Sequence, residues 1–221
     1  MAKTAIILGA TGLTGGILLQ ELLQDPRYGK IKLFGRSHVA VNNDKIEEHQ
    51  VDLFQPDTFE DSFTGDEVYC CIGTTKSKTP DEETYLKIDR GIPVSIAILS
   101  RKNNISTFLV ISALGANKDS KMFYNRTKGE MEAEVLAQDI PNTFIFQPSL
   151  IAGDRVESRP WEKLAKKVMK VLNPIFVGGL KKYRSIHPAT IAKAMIIVAN
   201  KGYPKNRIIS EEIKNIAANG N

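Results

Sequence analysis

Residues 4–25 read TAIILGATGLTGGILLQELLQD, and this stretch decides the fold. TAIIL (4–8) is an apolar run of strand length that ends at a glycine, and a helical pattern begins on the turn itself. Gly9, Gly12 and Gly15 fall at G-x-x-G-x-x-G spacing between the two. A strand-to-helix turn of this kind brings backbone amides and the positive end of the helix close to a pyrophosphate, an approach that larger side chains would block. The spacing is one residue wider than the commonest dinucleotide fingerprint, but strand, glycines and helix stand in the required order. The turn therefore predicts dinucleotide binding, with Gly9, Thr11, Gly12, Leu13, Thr14 and Gly15 against the ligand.

Further apolar runs of strand length follow at IKLF (31–34), EVYCCI (67–72), TFLVI (107–111) and TFIF (143–146). Helical patterns fill most intervals, clearest at PVSIAILSRKN (93–103) and YNRTKGEMEAEVLAQ (124–138), which is the signature of βαβ units around a buried parallel sheet. Another strand is expected near HQVDLF (49–54), with a short helix after Pro56. Beyond Leu150 the pattern reads loop, helix (161–172), loop, helix (190–201), with His187 and Pro188 opening the last long helix. The expectation is an α/β, Rossmann-like, doubly wound and mainly parallel sheet with helices on both faces. It forms one domain over 1–221, in which about 148–221 make a small substrate-side extension.

Composition narrows the function. Apolar residues make up 42% and charged residues 25% of 221, an ordinary globular balance. The net charge of +5 is interleaved with acids, and its densest groups, KLAKK (163–167) and LKKYR (180–184), are brief, so a solvated face is favoured over nucleic acid. No run of 18 apolar residues occurs and the start shows no cleavable leader, so membrane insertion is not expected and the cytoplasm is. Cys70 and Cys71 are adjacent and read as free thiols in a reducing compartment. Three scattered histidines offer no metal-binding spacing.

The form of the dinucleotide follows from the end of the second strand. An NAD site usually carries an acid there to bond the ribose 2′-hydroxyl. This chain has FGRSH (34–38), with Arg36 and Ser37 at that place. A guanidinium can grip a 2′-phosphate through paired hydrogen bonds, so NADP(H) is predicted over NAD(H). Asp52 and Leu53 are expected to border the adenine, although Asp52 also suits a turn or cap before Pro56. Gly73, Thr74 and Thr75 follow a strand end directly and are expected beside the cofactor's ribose.

Tyr124 opens a helix and Lys128 lies one turn on, so the two side chains share a face. A phenol there can hand its proton to a carbonyl oxygen while the ammonium stabilises the tyrosinate. One cation about 4 Å away, at an effective dielectric near 20, attracts by about 4 kcal/mol, enough to bring a phenol down toward neutrality. Ser112, at a strand end, is placed to hold the same oxygen. The plain alternatives are a loop cap for Ser112, a half-buried aromatic for Tyr124, and a solvated i,i+4 pair of Lys128 with Glu132.

Six motifs in order, ILGATGLTGG, CCIGTTKSK, LKIDRG, SALGAN, YNRTKGEME and QPSLIAGDRVESRP, resemble the short-chain dehydrogenase/reductase superfamily, specifically its atypical Tat-interacting-protein-like group. The resemblance implies a Rossmann-like fold, NADP(H) binding, and a catalytic set on Ser112, Tyr124 and Lys128. It also implies that Tyr124, Lys128 and Pro148 meet the cofactor, the segment after the sixth strand lying over the nicotinamide. Relatives often have two consecutive serines where this chain has Ser112 and then Ala113, so the serine's role departs from the pattern. Arg155 and Arg159 are candidate anion contacts of a substrate, with Trp161 and Tyr183 as apolar lining; an exposed loop pairing the arginines with Glu157 is the alternative.

Two functions are consistent with these residues. One is an NADP(H)-dependent reductase of a small carbonyl or quinone, acting as monomer or homodimer. The other is a non-catalytic NADP(H)-binding regulator working through a protein partner. A sugar-nucleotide epimerase is less favoured, because the short tail leaves little room for a nucleotide-sugar domain.

Overall fold

The computed structural model describes residues 2–152 and 185–220. Period-two alternation in the first strand, β1 (Lys3–Leu8), sets up both faces of the sheet. Ala5 and Ile7 point to one apolar layer and Ile6 and Leu8 to the other, all fully buried. The strands β2 (Tyr28–Gly35), β3 (Ile46–Gln50), β4 (Glu67–Cys70), β5 (Thr107–Ile111), β6 (Asn142–Gln147) and β7 (Arg207–Ile209) complete a seven-stranded sheet in the order β3-β2-β1-β4-β5-β6-β7. Every pairing is parallel. The chain winds outward from β1 in both directions, so a crevice opens at the carboxyl ends of β1 and β4, where ligands bind in open sheets of this kind.

Helix α1 (Leu13–Gln24) covers one face with Leu18, Leu19, Leu22 and Leu23, all buried against the first layer. Each such side chain contributes about 1.5–3 kcal/mol of transfer free energy. On the other face lies an almost continuous helical rod: α2 (Glu82–Leu86), one wide π turn (Lys87–Gly91) and α3 (Ile92–Lys102). Helix α4 (Phe123–Leu136) packs beside it. Helix α5 (Pro188–Lys201) packs on α1 and is capped by His187, whose ring nitrogen accepts the Ala189 N–H at 3.2 Å, with Pro188 in the first turn.

Two expectations change. The third strand is Ile46–Gln50, upstream of the predicted HQVDLF, because residues 52–55 form a turn ahead of the 3₁₀ helix at Pro56–Ser62. Helix α5 is not the last element. The edge strand β7 and helix α6 (Ser210–Asn219) follow it; RII alone is too short to stand out in a sequence, and only pairing with β6 makes it a strand.

Candidate functional site

The glycine turn is built by close backbone contact. Gly9 has φ +86°, a conformation that favours glycine, and its carbonyl accepts the Gly12 N–H at 2.9 Å. A Cβ on Gly15 would stand 2.1 Å from that same carbonyl oxygen, so the helix can start this close to the strand only with glycine there. Helix α1 has no side-chain cap and no acid in its first turn, so the positive end of the helix is not offset there by a carboxylate and is suited to an anion.

A cleft of about 540 Å³ opens from this turn across the ends of β2, β3 and β4. Of the residues expected at the cofactor, Gly9, Thr11, Gly12, Arg36, Asp52, Leu53, Gly73 and Thr74 line it. Leu13, Thr14, Gly15, Thr75, Tyr124, Lys128 and Pro148 do not. Thr14 and Gly15 are buried beneath the turn, Thr75 shares a hydrogen bond with Ser77, and the Pro148 carbonyl accepts the Leu114 N–H. The size, the glycine cradle and the uncapped helix suit a dinucleotide.

Asp52 does border the cleft, yet its carboxylate closes a turn, accepting the Phe54 N–H at 3.0 Å and the Gln55 amide at 3.1 Å. Arg36 is exposed at the rim. Tertiary pairing adds what the end of β2 lacks: Glu48 of β3 also lines the cleft. That carboxylate is taken by the His38 ring and by the Val39 N–H at 2.9 Å.

Lys128 is buried, its ammonium 2.6 Å from Asp89, itself buried in the π turn. The second Asp89 oxygen accepts the Thr74 N–H at 2.7 Å. A Cβ on Gly73 would stand 3.5 Å from Asp89 and 4.0 Å from the Lys128 nitrogen, so the ion pair abuts the cleft wall at Gly73. Tyr124, one turn earlier, is 42% exposed. Its phenol is held above the ordinary tyrosine range: burial raises it, Lys128 pulls it down, and Asp89 raises it again. The expected fall toward neutrality does not occur: burial opposes the pull of Lys128, and a carboxylate in contact with the ammonium adds to that opposition.

Ser112 faces inward. It is buried and donates its hydroxyl hydrogen to Glu132 at 2.5 Å, so that hydrogen is not offered to a substrate oxygen. Glu132 also accepts the Gln147 amide at 2.8 Å and the Arg207 guanidinium at 2.7 Å. The i,i+4 pairing of Lys128 with Glu132 is thus replaced by two separate partnerships on one helix face. Arg155, Arg159, Trp161 and Tyr183 lie outside the described residues.

Sequence reading gave Asp89 and Glu132 no part in the site. A signal existed: Tyr85, Asp89, Ile92 and Ile96 share one buried helical stripe, and so do Lys128, Met131, Glu132 and Val135. A charge on such a stripe must have a partner, because an isolated buried charge is strongly disfavoured.

Fold and cleft together define a Rossmann-like α/β protein with a dinucleotide site. A family model described as NAD(P)H-binding matches residues 9–167. Rat protein HTATIP2 (Rattus norvegicus) is 32% identical over 200 residues, 88% of this chain and 80% of that protein. The mitochondrial protein FMP52 of Debaryomyces hansenii is 30% identical over 204 residues, 90% and 88% of the two chains. The chain therefore belongs to the NAD(P)H-binding family and, within the short-chain dehydrogenase/reductases, to the Tat-interacting-protein-like group.

Solved structures with the same fold include the Bordetella bronchiseptica enzyme WbmH in complex with NAD⁺, at TM-score 0.72 and 12% identity over 99% of this chain and 80% of that one. A UDP-N-acetylglucosamine 4-epimerase from Methanobrevibacter ruminantium M1 superposes at TM-score 0.70 with 18% identity, over 93% and 75% of the two chains. Among the described residues no helix is long and apolar enough to cross a membrane.

Proposed function

We propose that this chain is an NADP(H)-dependent oxidoreductase that reduces a carbonyl or quinone group of a small molecule, with Tyr124 as the proton donor. The observation that carries the reading is the half-exposed Tyr124 one helical turn from a lysine whose ammonium abuts Gly73 on the cleft wall. The glycine turn and the start of α1 would hold the pyrophosphate, and Gly73 and Thr74 the neighbouring ribose. Arg36 would hold a 2′-phosphate, because Glu48, the carboxylate that lines the same cleft, is already engaged by His38 and Val39. When bound, the reduced nicotinamide supplies the hydride. Tyr124 gives its proton to the oxygen of the group being reduced, Lys128 steadies the tyrosinate left behind, and water returns a proton to it. Residues 148–152 would begin the substrate wall.

A second reading is favoured by one observation. The serine of the expected catalytic set gives its hydrogen to Glu132, as suits a nucleotide holder that signals cofactor occupancy to a protein partner. For compartment, the adjacent free thiols suit the cytoplasm, while the fungal relatives are named mitochondrial.

The deciding experiment is NADPH consumption over a panel of aldehydes, ketones and quinones. Tyr124→Phe is expected to lower turnover by about 10²- to 10⁴-fold and to leave NADPH affinity unchanged. Equal turnover by the two proteins would remove the catalytic reading, and NADPH-dependent affinity for a partner without turnover would install the second.

A further inference from the structure

The rod that carries Asp89 is interrupted where Asp89 stands. A π turn at Lys87–Gly91 widens the helix between α2 and α3, and single π turns inside helices concentrate at functional sites. Its consecutive residues Asp89 and Arg90 both grip α4. Arg90 binds Glu130 at 2.9 Å and Glu134 at 2.5 Å where solvent reaches them. Asp89 grips Lys128 inside, with both partners buried. An enclosed ion pair of this kind adds little stability over an apolar pair of the same shape, so docking alone does not account for it.

We propose that Asp89 is a positioning residue that sets the charge of the site: held between the Lys128 ammonium and the Thr74 amide, it offsets the lysine and keeps Tyr124 a neutral proton donor. The inference rests on the reading of Tyr124 as that donor and goes further, naming what holds it protonated and tying that balance to the loop against which the ribose would lie.

Charge bookkeeping supplies the sign. With Asp89 ionised, Lys128 protonated and Tyr124 neutral, the site has no net charge, and loss of a proton leaves an uncompensated negative charge in a partly desolvated place. Without the carboxylate the site starts at one positive charge, and loss of a proton neutralises it, so that loss comes at lower pH. The sign holds whichever member of the coupled pair gives up the proton.

Among the described residues the groups facing Tyr124 are Lys128 from its own helix, Asp89 from the π turn and Tyr85 from α2. Lys76 lies 4.4 Å from the centroid of the Phe123 ring and is paired with Glu82 at 2.8 Å. The upward direction of the Tyr124 phenol agrees with this balance.

The test follows tyrosine ionisation by NMR of protein labelled with ¹³C at the tyrosine ζ carbon, the Tyr124 signal being the one lost in Tyr124→Phe. Asp89→Asn should move the Tyr124 midpoint to lower pH, Asp89→Glu should restore it toward wild type, and Lys128→Gln should move it to higher pH. A midpoint that stays put or rises in folded Asp89→Asn overturns the proposal. If that variant does not fold, an unmoved midpoint in Lys128→Gln overturns it instead. The readout needs no turnover, so failure of carbonyl reduction and failure of this inference are separate outcomes. In active enzyme the alkaline limb of kcat should shift to lower pH with Asp89→Asn, and an unmoved limb counts against the proposal.

Discussion

The two ends of the sheet each bury a carboxylate and use it differently. At the amino end Glu67 accepts hydrogen bonds from the Tyr28 and Tyr69 hydroxyls, both at 2.7 Å, and pairs with Lys3. The two phenols lie 3.0 Å apart, and Asn200 of α5 donates to Tyr28 at 2.7 Å. Burial, together with the neighbouring carboxylate, holds both phenols far above the ordinary tyrosine range, so they remain donors. This network is closed, and it ties β1, β2, β4 and α5 together. At the carboxyl end Asp89 has the same degree of burial but stands at a cleft wall, with Tyr124 half exposed nearby. Closed polar networks hold a fold in one arrangement; an open one leaves a proton donor in reach of a ligand.

If this division is right, substitutions at the two ends should separate stability from binding. The largest effect is expected from Gly15→Ala, which crosses the division: a methyl 2.1 Å from the Gly9 carbonyl must push strand and helix apart. It should abolish NADPH binding and cost about 3 kcal/mol or more, roughly 6–12 °C in Tm. Glu67→Ala should cost about 3 kcal/mol through two lost hydrogen bonds to a charged acceptor, yet leave NADPH affinity as it was. Thermal melts alongside NADPH titration check both, and loss of affinity in folded Glu67→Ala would break the comparison. Arg36→Ala is the mirror case and the smallest in stability. NADPH affinity should fall about 10- to 100-fold while NADH affinity and Tm stay unchanged, and equal loss for both nucleotides would remove the 2′-phosphate assignment.

Much of the cleft was legible because its signals are local. The turn at Gly9–Gly15, the exposed Arg36 and the small residues Gly73 and Thr74 each follow a strand end, and a parallel sheet places strand ends together. His187 and Pro188 were likewise readable as a helix start. Glu48 was not, because its place in the cleft depends on the register of β3 on β2, which sets it opposite Leu33. Nor was the inward turn of Ser112, since its partner Glu132 lies on another element.

From the sequence alone came the doubly wound fold, the dinucleotide turn and the shared helix face of Tyr124 and Lys128, since alternation, glycine spacing and helical period act over a few residues. Only the tertiary structure decided the charge state around that tyrosine. The π turn brings Asp89 against Lys128 across two packed helices, and burial together with that carboxylate outweighs what the lysine one turn away would do alone.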